Sequence, residues 1–206
     1  MIDTIVFDIG NVLALTKWRE TFINCNIPAD LYEQVAVATI YSDLWPKYDA
    51  GLISVADMIT GCTQYAPQYE EYIRNFFNSQ HLIAKETDYA VNWIKYYRDN
   101  GFKTYILSNF PKEAFEACED NFNFLKYVDG ALVSYRVNLL KPDRKIYDKL
   151  CVMYDIIPEH AVFVDDMKEN VHAAIDCGFN GVIFNNKTQA DCDIKAICYN
   201  NKTSLL

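Results

Sequence analysis

Five short apolar runs punctuate the chain: Thr4-Ile5-Val6-Phe7, Phe102-Lys103-Thr104-Tyr105-Ile106-Leu107, Ala131-Leu132-Val133, Ala161-Val162-Phe163-Val164 and Gly181-Val182-Ile183-Phe184. Their length and their β-branched and aromatic content predict buried strands. Helical spacing fills the intervals between them. Tyr89, Trp93, Ile94 and Tyr97 share one face of a stretch near 86–100 that stops at Gly101, and Pro111 suits the first turn of a helix carrying Ala114, Phe115 and Cys118. Tyr147, Leu150, Cys151 and Tyr154 repeat the pattern after Lys141-Pro142, and Val171, Ala174 and Ile175 repeat it before Gly178. A short helix is expected around Ala190–Cys198. Strands that alternate with helices in this way predict an α/β fold with a doubly wound parallel sheet.

Between the first two runs, some seventy residues show no strand pattern. Pro28 can open a helix with Leu31, Val35 and Ala38 on one face, and Ser54 reads as an N-cap with Asp57 three positions on, before Val55, Met58, Ile59 and Cys62. Tyr69, Tyr72, Ile73 and Phe76 continue the helical spacing. Residues 15–84 are therefore expected to form a small helical bundle inserted into an α/β core made of 1–14 and 85–206. Trp45 and Tyr48 lie in this bundle, where amphipathic spacing favours ordinary packing over the lining of a sugar pocket.

Composition narrows the partners. The 206 residues are 51% hydrophobic, enough for a full core, and the formal net charge of −9 disfavours a nucleic-acid or anionic-membrane surface. No apolar stretch approaches the ~18 residues of a membrane span. Seven scattered cysteines without a C-x-x-C pair fit reduced, mostly buried thiols in a cytoplasmic protein. His81, His160 and His172 lack metal-ligand spacing.

The candidate chemistry lies where apolar runs stop, because ligands of open α/β sheets bind outside the carboxyl ends of the strands. Asp8 ends the first run and Gly10 follows, where the chain can turn. Ser108 and Asn109 end the second, offering a hydroxyl and an amide able to hold an oxyanion. Asp165 and Asp166 end the fourth as adjacent carboxylates that repel unless a cation compensates, and Asn170 can face the same way as Asp166 on the following helix. Hard oxygen donors of this kind suit Mg²⁺. Lys141 adds a cation before Pro142. An acidic nucleophile, an oxyanion holder, a cation and a metal-binding pair make up a phosphoryl-transfer set.

On these residues the chain resembles the haloacid dehalogenase-like (HAD) hydrolase superfamily, with Asp8, Ser108, Lys141 and Asp165-Asp166 in its four motifs in order. Phe7-Asp8-Ile9-Gly10-Asn11-Val12, Gly51-Leu52-Ile53-Ser54 and Lys141-Pro142 look most like the branch of glucose-1-phosphatases and epoxide-hydrolase N-terminal phosphatases. The resemblance implies a five-stranded sheet of order 5-4-1-2-3, with the helical insertion as a C1-type cap. It further implies a Mg²⁺-dependent phosphatase of a small phosphorylated metabolite, expected to be a sugar phosphate; whether it is a monomer or a homodimer stays open. Asp8 would be nucleophile and metal ligand, and the Gly10 carbonyl and Asp166 further ligands, with Asp165 beside them or as an alternative. Ser108, Asn109 and Lys141 would bind the phosphoryl group. Most phosphatases of the superfamily carry a second Asp, the general acid and base, where this chain has Gly10. Asn11, Lys17 and a cap residue such as Asp49 are candidates to replace it. Two alternatives follow from Gly10: a metal-independent 2-haloacid dehalogenase, and a catalytically impaired protein that binds phosphorylated metabolites.

Overall fold

A computed structural model describes residues 1–203. Among the described residues, seven strands form two sheets: β1 (Thr4–Phe7), β2 (Ala14–Thr16), β3 (Ala84–Glu86), β4 (Lys103–Ser108), β5 (Gly130–Val133), β6 (Ala161–Asp165) and β7 (Asn180–Ile183). The main sheet has the order β5-β4-β1-β6-β7, and all four of its pairings are parallel. Numbered among its own five strands and read from the β7 edge, this is 5-4-1-2-3. The strand that ends at Asp8 is therefore central, flanked by β4 and β6.

The helices are α1 (Trp18–Asn24), α2 (Tyr32–Ala38), α3 (Trp45–Asp49), α4 (Val55–Tyr65), α5 (Glu70–Asn78), α6 (Ala90–Asp99), α7 (Lys112–Cys118), α8 (Arg144–Tyr154), α9 (Lys168–Asp176) and α10 (Lys187–Thr203). Period-two alternation along the strands divides the core into two layers. Ile5, Phe7, Ile106, Val162 and Val164 pack under α6, α7 and α10, whereas Val6, Tyr105, Leu107 and Phe163 pack under α8 and α9. Both faces of the sheet are thus covered, which is why its strands read as nearly continuous apolar runs.

Three elements depart from the expectation. The tail helix is longer than the periodicity indicates and is docked by Asp191, whose carboxylate accepts hydrogen bonds from Trp93 Nε1 (2.6 Å), Tyr97 Oη (2.9 Å) and Lys187 Nζ (2.6 Å). Ile175, expected inward, is 48% exposed, with its side chain lying along Gly181 at the sheet edge. Two short strands, β2 and β3, pair antiparallel where the chain leaves and rejoins the main sheet, with Ala14 opposite Glu86 and Thr16 opposite Ala84. Three residues are too few to leave a period in the sequence.

Between β2 and β3 lie α1–α5, joined by an aromatic centre in which Phe22 and Phe76 meet at 5.2 Å and Phe76 and Phe77 at 5.2 Å. Ser54 caps α4 through a reciprocal capping box with Asp57. Tyr48 is fully buried and donates to Gln80 Oε1 at 2.9 Å, so it packs rather than lines a pocket. Of the seven cysteines, Cys25, Cys62 and Cys118 are buried and Cys192 is exposed.

The turn after α3 is clamped onto the main sheet. Ser134 Oγ, at the end of β5, donates to Asp49 O at 2.5 Å, and Asn138 Nδ2 donates to Ala50 O at 2.9 Å. Gly51 closes this turn at φ +66°, where a Cβ would stand 2.9 Å from the Tyr135 carbonyl oxygen. Gly51→Ala is therefore expected to cost about 1–2 kcal/mol from the left-handed backbone alone, with further loss from the clash. Urea melts of the two proteins measure it, and equal midpoints would contradict the close approach.

Candidate active site

Asp8 is placed by β1: its backbone N–H continues the ladder to Val164 O at 2.9 Å, and its carboxylate emerges at the centre of the carboxyl edge. The next residues turn back at once, with Asn11 in the left-handed region at φ 53°, which asparagine tolerates. The Asn11 side chain then ties two elements together. Its Nδ2 donates to Asp166 Oδ2 at 2.9 Å and its Oδ1 accepts from Thr16 Oγ1 at 2.8 Å.

Lys141 is the electrostatic centre. Its side chain is 1% exposed, and its ammonium lies 2.9 Å from Asp8 Oδ1 and 2.6 Å from Asp165 Oδ2. It also donates to Leu107 O at 3.0 Å, so the end of β4 helps to hold it. Burial works against the charged ammonium, but the two carboxylates outweigh it and hold its pKa above the ordinary lysine value. Asn109 fixes the approach of Lys141: its Nδ2 donates to Lys141 O and its Oδ1 accepts from Lys141 N, both at 3.0 Å. One hydrogen of that amide is left for a ligand.

The three carboxylates differ. Asp165 is fully buried and saturated, accepting from Lys141, from Met167 N at 2.8 Å and from Asn170 Nδ2 at 3.1 Å. Asn170 therefore serves Asp165, where the sequence spacing pairs it with Asp166. Asp166 is partly exposed, and burial, with Asp165 beside it, raises its pKa even though Asn11 opposes the shift. Asp8 is buried, and desolvation together with Asp165 pushes its carboxyl up to about 7 against the pull of Lys141.

Ligand oxygens of Asp8, Asp165 and Asp166 all lie within 4.8 Å of one another. The fit to a metal can be judged from the donor set. Asp8 Oδ1 is buried with the Lys141 ammonium 2.9 Å away, which leaves lone-pair capacity on the carboxylate for a cation. Asp166 keeps lone pairs free, while those of Asp165 are spent. Two available hard oxygens, with a third carboxylate raising the local negative charge, suit a small divalent cation that keeps other oxygen ligands. The Ser108 hydroxyl, 1% exposed, lies beside the Asp8 carboxylate and has no other hydrogen-bond partner among the described residues.

A cavity of about 120 Å³ opens beside Gly10. Thr16, Asn109, Phe110 and Ala114 line it together with Trp45 and Asp49 from α3. The Asp49 carboxyl is pushed up to about 7, first by desolvation and then by Asp8, with the Trp45 indole N–H favouring the charged form. Lys17, by contrast, is paired with Glu20.

The family model for haloacid dehalogenase-like hydrolases matches residues 2–178. Drimenol cyclase of Aspergillus calidoustus is 21% identical over 194 residues, and the match covers 92% of this chain but only 35% of that protein. D-ribitol-5-phosphate phosphatase of Bacteroides thetaiotaomicron is 26% identical over 199 residues, covering 87% of this chain and 90% of the relative. Among solved structures, a HAD family enzyme from B. thetaiotaomicron in complex with magnesium and inorganic phosphate superposes with TM-score 0.70 at 20% identity, covering 88% of this chain and 93% of that one. L-2-haloacid dehalogenase from Xanthobacter autotrophicus superposes with TM-score 0.65 at 15% identity, covering 88% and 76%. At these identities the superpositions establish the shared fold.

Proposed function

The chain belongs to the haloacid dehalogenase-like hydrolases, and from that premise we propose that it is a Mg²⁺-dependent phosphatase acting on a small sugar or polyol phosphate through a phosphoryl group carried on Asp8. The observation that carries this reading is the group of three carboxylates with ligand atoms within 4.8 Å of one another, one of them at the end of the central strand. Asp8 and Asp166, with the Gly10 carbonyl, would hold the cation, and Asp165 holds Lys141 in place beside them. When bound, Mg²⁺ neutralises Asp8 and the phosphoryl oxygens so that two anions can approach.

Asp8 supplies the attacking oxygen. The Ser108 hydroxyl and the remaining Asn109 amide hydrogen bind equatorial phosphoryl oxygens, and Lys141 balances the charge that they and Asp8 share. Catalysis of this kind is mostly positioning and charge neutralisation, which a fixed, buried lysine provides without reorganisation. Residues 15–84 act as the cap over a core of 1–14 and 85–206. Trp45 and Phe110 offer apolar walls for a carbon skeleton, and the cavity volume selects a small leaving group.

A dehalogenase reading is less well supported, since three clustered carboxylates without a metal would repel a haloacid anion. Hydrolysis of p-nitrophenyl phosphate with Mg²⁺ and with EDTA tests the proposal. Turnover is expected with Mg²⁺ and should be lost in EDTA, then recover when the metal is returned. Undiminished turnover in EDTA, or halide release from 2-chloropropionate, would overturn it. Among the described residues, no helix is long and apolar enough to cross a membrane.

A further inference from the structure

A phosphate ester with a poor leaving group needs a proton delivered to the departing oxygen, and the residues around Asp8 raise the question of its source. Gly10 has no side chain to offer. Neither strain nor crowding demands a glycine there, because its φ is ordinary and a Cβ would meet Asp8 Oδ2 and Thr16 Cγ2 no closer than 3.8 Å. The room is instead part of the cavity, and the one carboxyl group among the described residues that line it is Asp49. The other polar walls, Thr16, Asn109 and Trp45, carry no group that exchanges a proton near neutral pH.

We propose that Asp49 is the general acid and base of the reaction, supplied by the insertion in place of a side chain at position 10. This rests on the phosphatase reading above. As an Asp8 oxygen bonds to phosphorus, the bond from phosphorus to the leaving oxygen breaks, and the Asp49 proton passes to that oxygen to give the free alcohol. Water then attacks phosphorus, its proton passes to the Asp49 carboxylate, and the bond from phosphorus to Asp8 breaks to release inorganic phosphate. One proton leaves Asp49 and one returns, so the cycle closes without a co-reactant.

Three features support the assignment. The backbone of Asp49 is held to the core by Ser134 Oγ, and the same hydroxyl accepts from Phe110 N at 2.9 Å, two residues after Ser108. The carboxyl therefore sits at the end of α3, tied to the phosphoryl-binding loop, and the Asn138 contact to Ala50 ties it a second time. The desolvated setting favours the protonated form, as a general acid requires. The competing side chains are committed elsewhere, Asn11 to Asp166 and Thr16, and Lys17 to Glu20.

Two aryl phosphates of similar shape test this: p-nitrophenyl phosphate, whose leaving group needs no proton, and phenyl phosphate, whose leaving group does. Asp49→Asn should lose roughly 10²–10⁴-fold in kcat on phenyl phosphate with KM little changed. On p-nitrophenyl phosphate it should release a burst of about one p-nitrophenolate per chain and then turn over slowly, because the phosphoryl group on Asp8 accumulates without its base. Asp49→Ala should show the same split, and the burst itself reports a folded site. Equal losses on both substrates without a burst in both variants, or no loss in either, would overturn the assignment and leave the phosphatase reading intact. A native chain that releases phosphate from neither ester would overturn both.

Discussion

Asp8→Asn is expected to reduce phosphate release by at least ~10⁴-fold, as removal of an attacking group does when no other side chain can take its place. The same substitution should not weaken the fold. Asn keeps the size of the side chain, and Asp165 at 2.6 Å remains as the partner of Lys141. Its effect on stability should also depend on pH, with a sign that follows from the raised pKa. Folding lifts the Asp8 carboxyl from its ordinary range near 4 to about 7. Between those values the folded chain binds more protons than the unfolded one, so in EDTA this group's contribution to stability falls as pH rises through that window. Asp8→Asn removes the ionisation, and its melting temperature in EDTA should match or exceed that of the native chain at pH 8. Thermal melts at pH 5 and pH 8 with both proteins provide the measurement. A variant that is less stable at pH 8 would show that the ionised Asp8 stabilises the fold.

Lys141→Met should have the largest effect on stability. Met preserves the length and apolar stem of the side chain but leaves Asp8 and Asp165 buried together without the ammonium that lies within 3 Å of both. Breaking a buried ion pair by removing one partner costs about 3–5 kcal/mol, a large share of the ~5–15 kcal/mol by which domains are stable. Loss of phosphate release should accompany it, since the fixed cation that balances the phosphoryl group and Asp8 would be gone. Lys141→Met/Asp165→Asn separates the two effects: neutralising Asp165 should recover part of the stability and none of the activity. Urea denaturation of the three proteins decides the first point, and a single-variant loss under ~1 kcal/mol would mean that the charges are solvated and not buried.

Much of this site was legible along the chain because of a local rule. A buried strand is a short apolar run, and the first polar residue after it stands at the carboxyl edge of the sheet. Asp8, Ser108 and Asp165 are each found that way, and the structure brings them together because β1, β4 and β6 are neighbours in one parallel sheet. The helices α2, α4 and α5 between β2 and β3 were legible from helical spacing through Val35, Met58 and Ile73. Its own first helix, α1, and the short α3 were not, because five to seven residues leave too little period to read.

What the chain could not show by itself is which polar groups are spent and which are available. Asn170 has the right spacing for Asp166 yet binds Asp165, because the Asp165 side chain turns inward beneath α9 while Asp166 faces the Asn11 turn. Lys141 looks like any solvated lysine until folding buries it between two carboxylates. Asp49 was one of several candidates for the missing proton donor, indistinguishable in sequence from Asn11 or Lys17.

The sequence alone determined the fold class and the carboxylate at the end of the first strand, because burial and strand termination are properties of neighbouring residues, while the central place of that strand followed from the family resemblance and not from any local pattern. Only the tertiary structure decided that Asn11 would meet Asp166, 155 residues away, and that Ser134 would fix Asp49, 85 residues away. Those contacts depend on how the sheet, the insertion and the loops close on one another, and no local pattern records that closure.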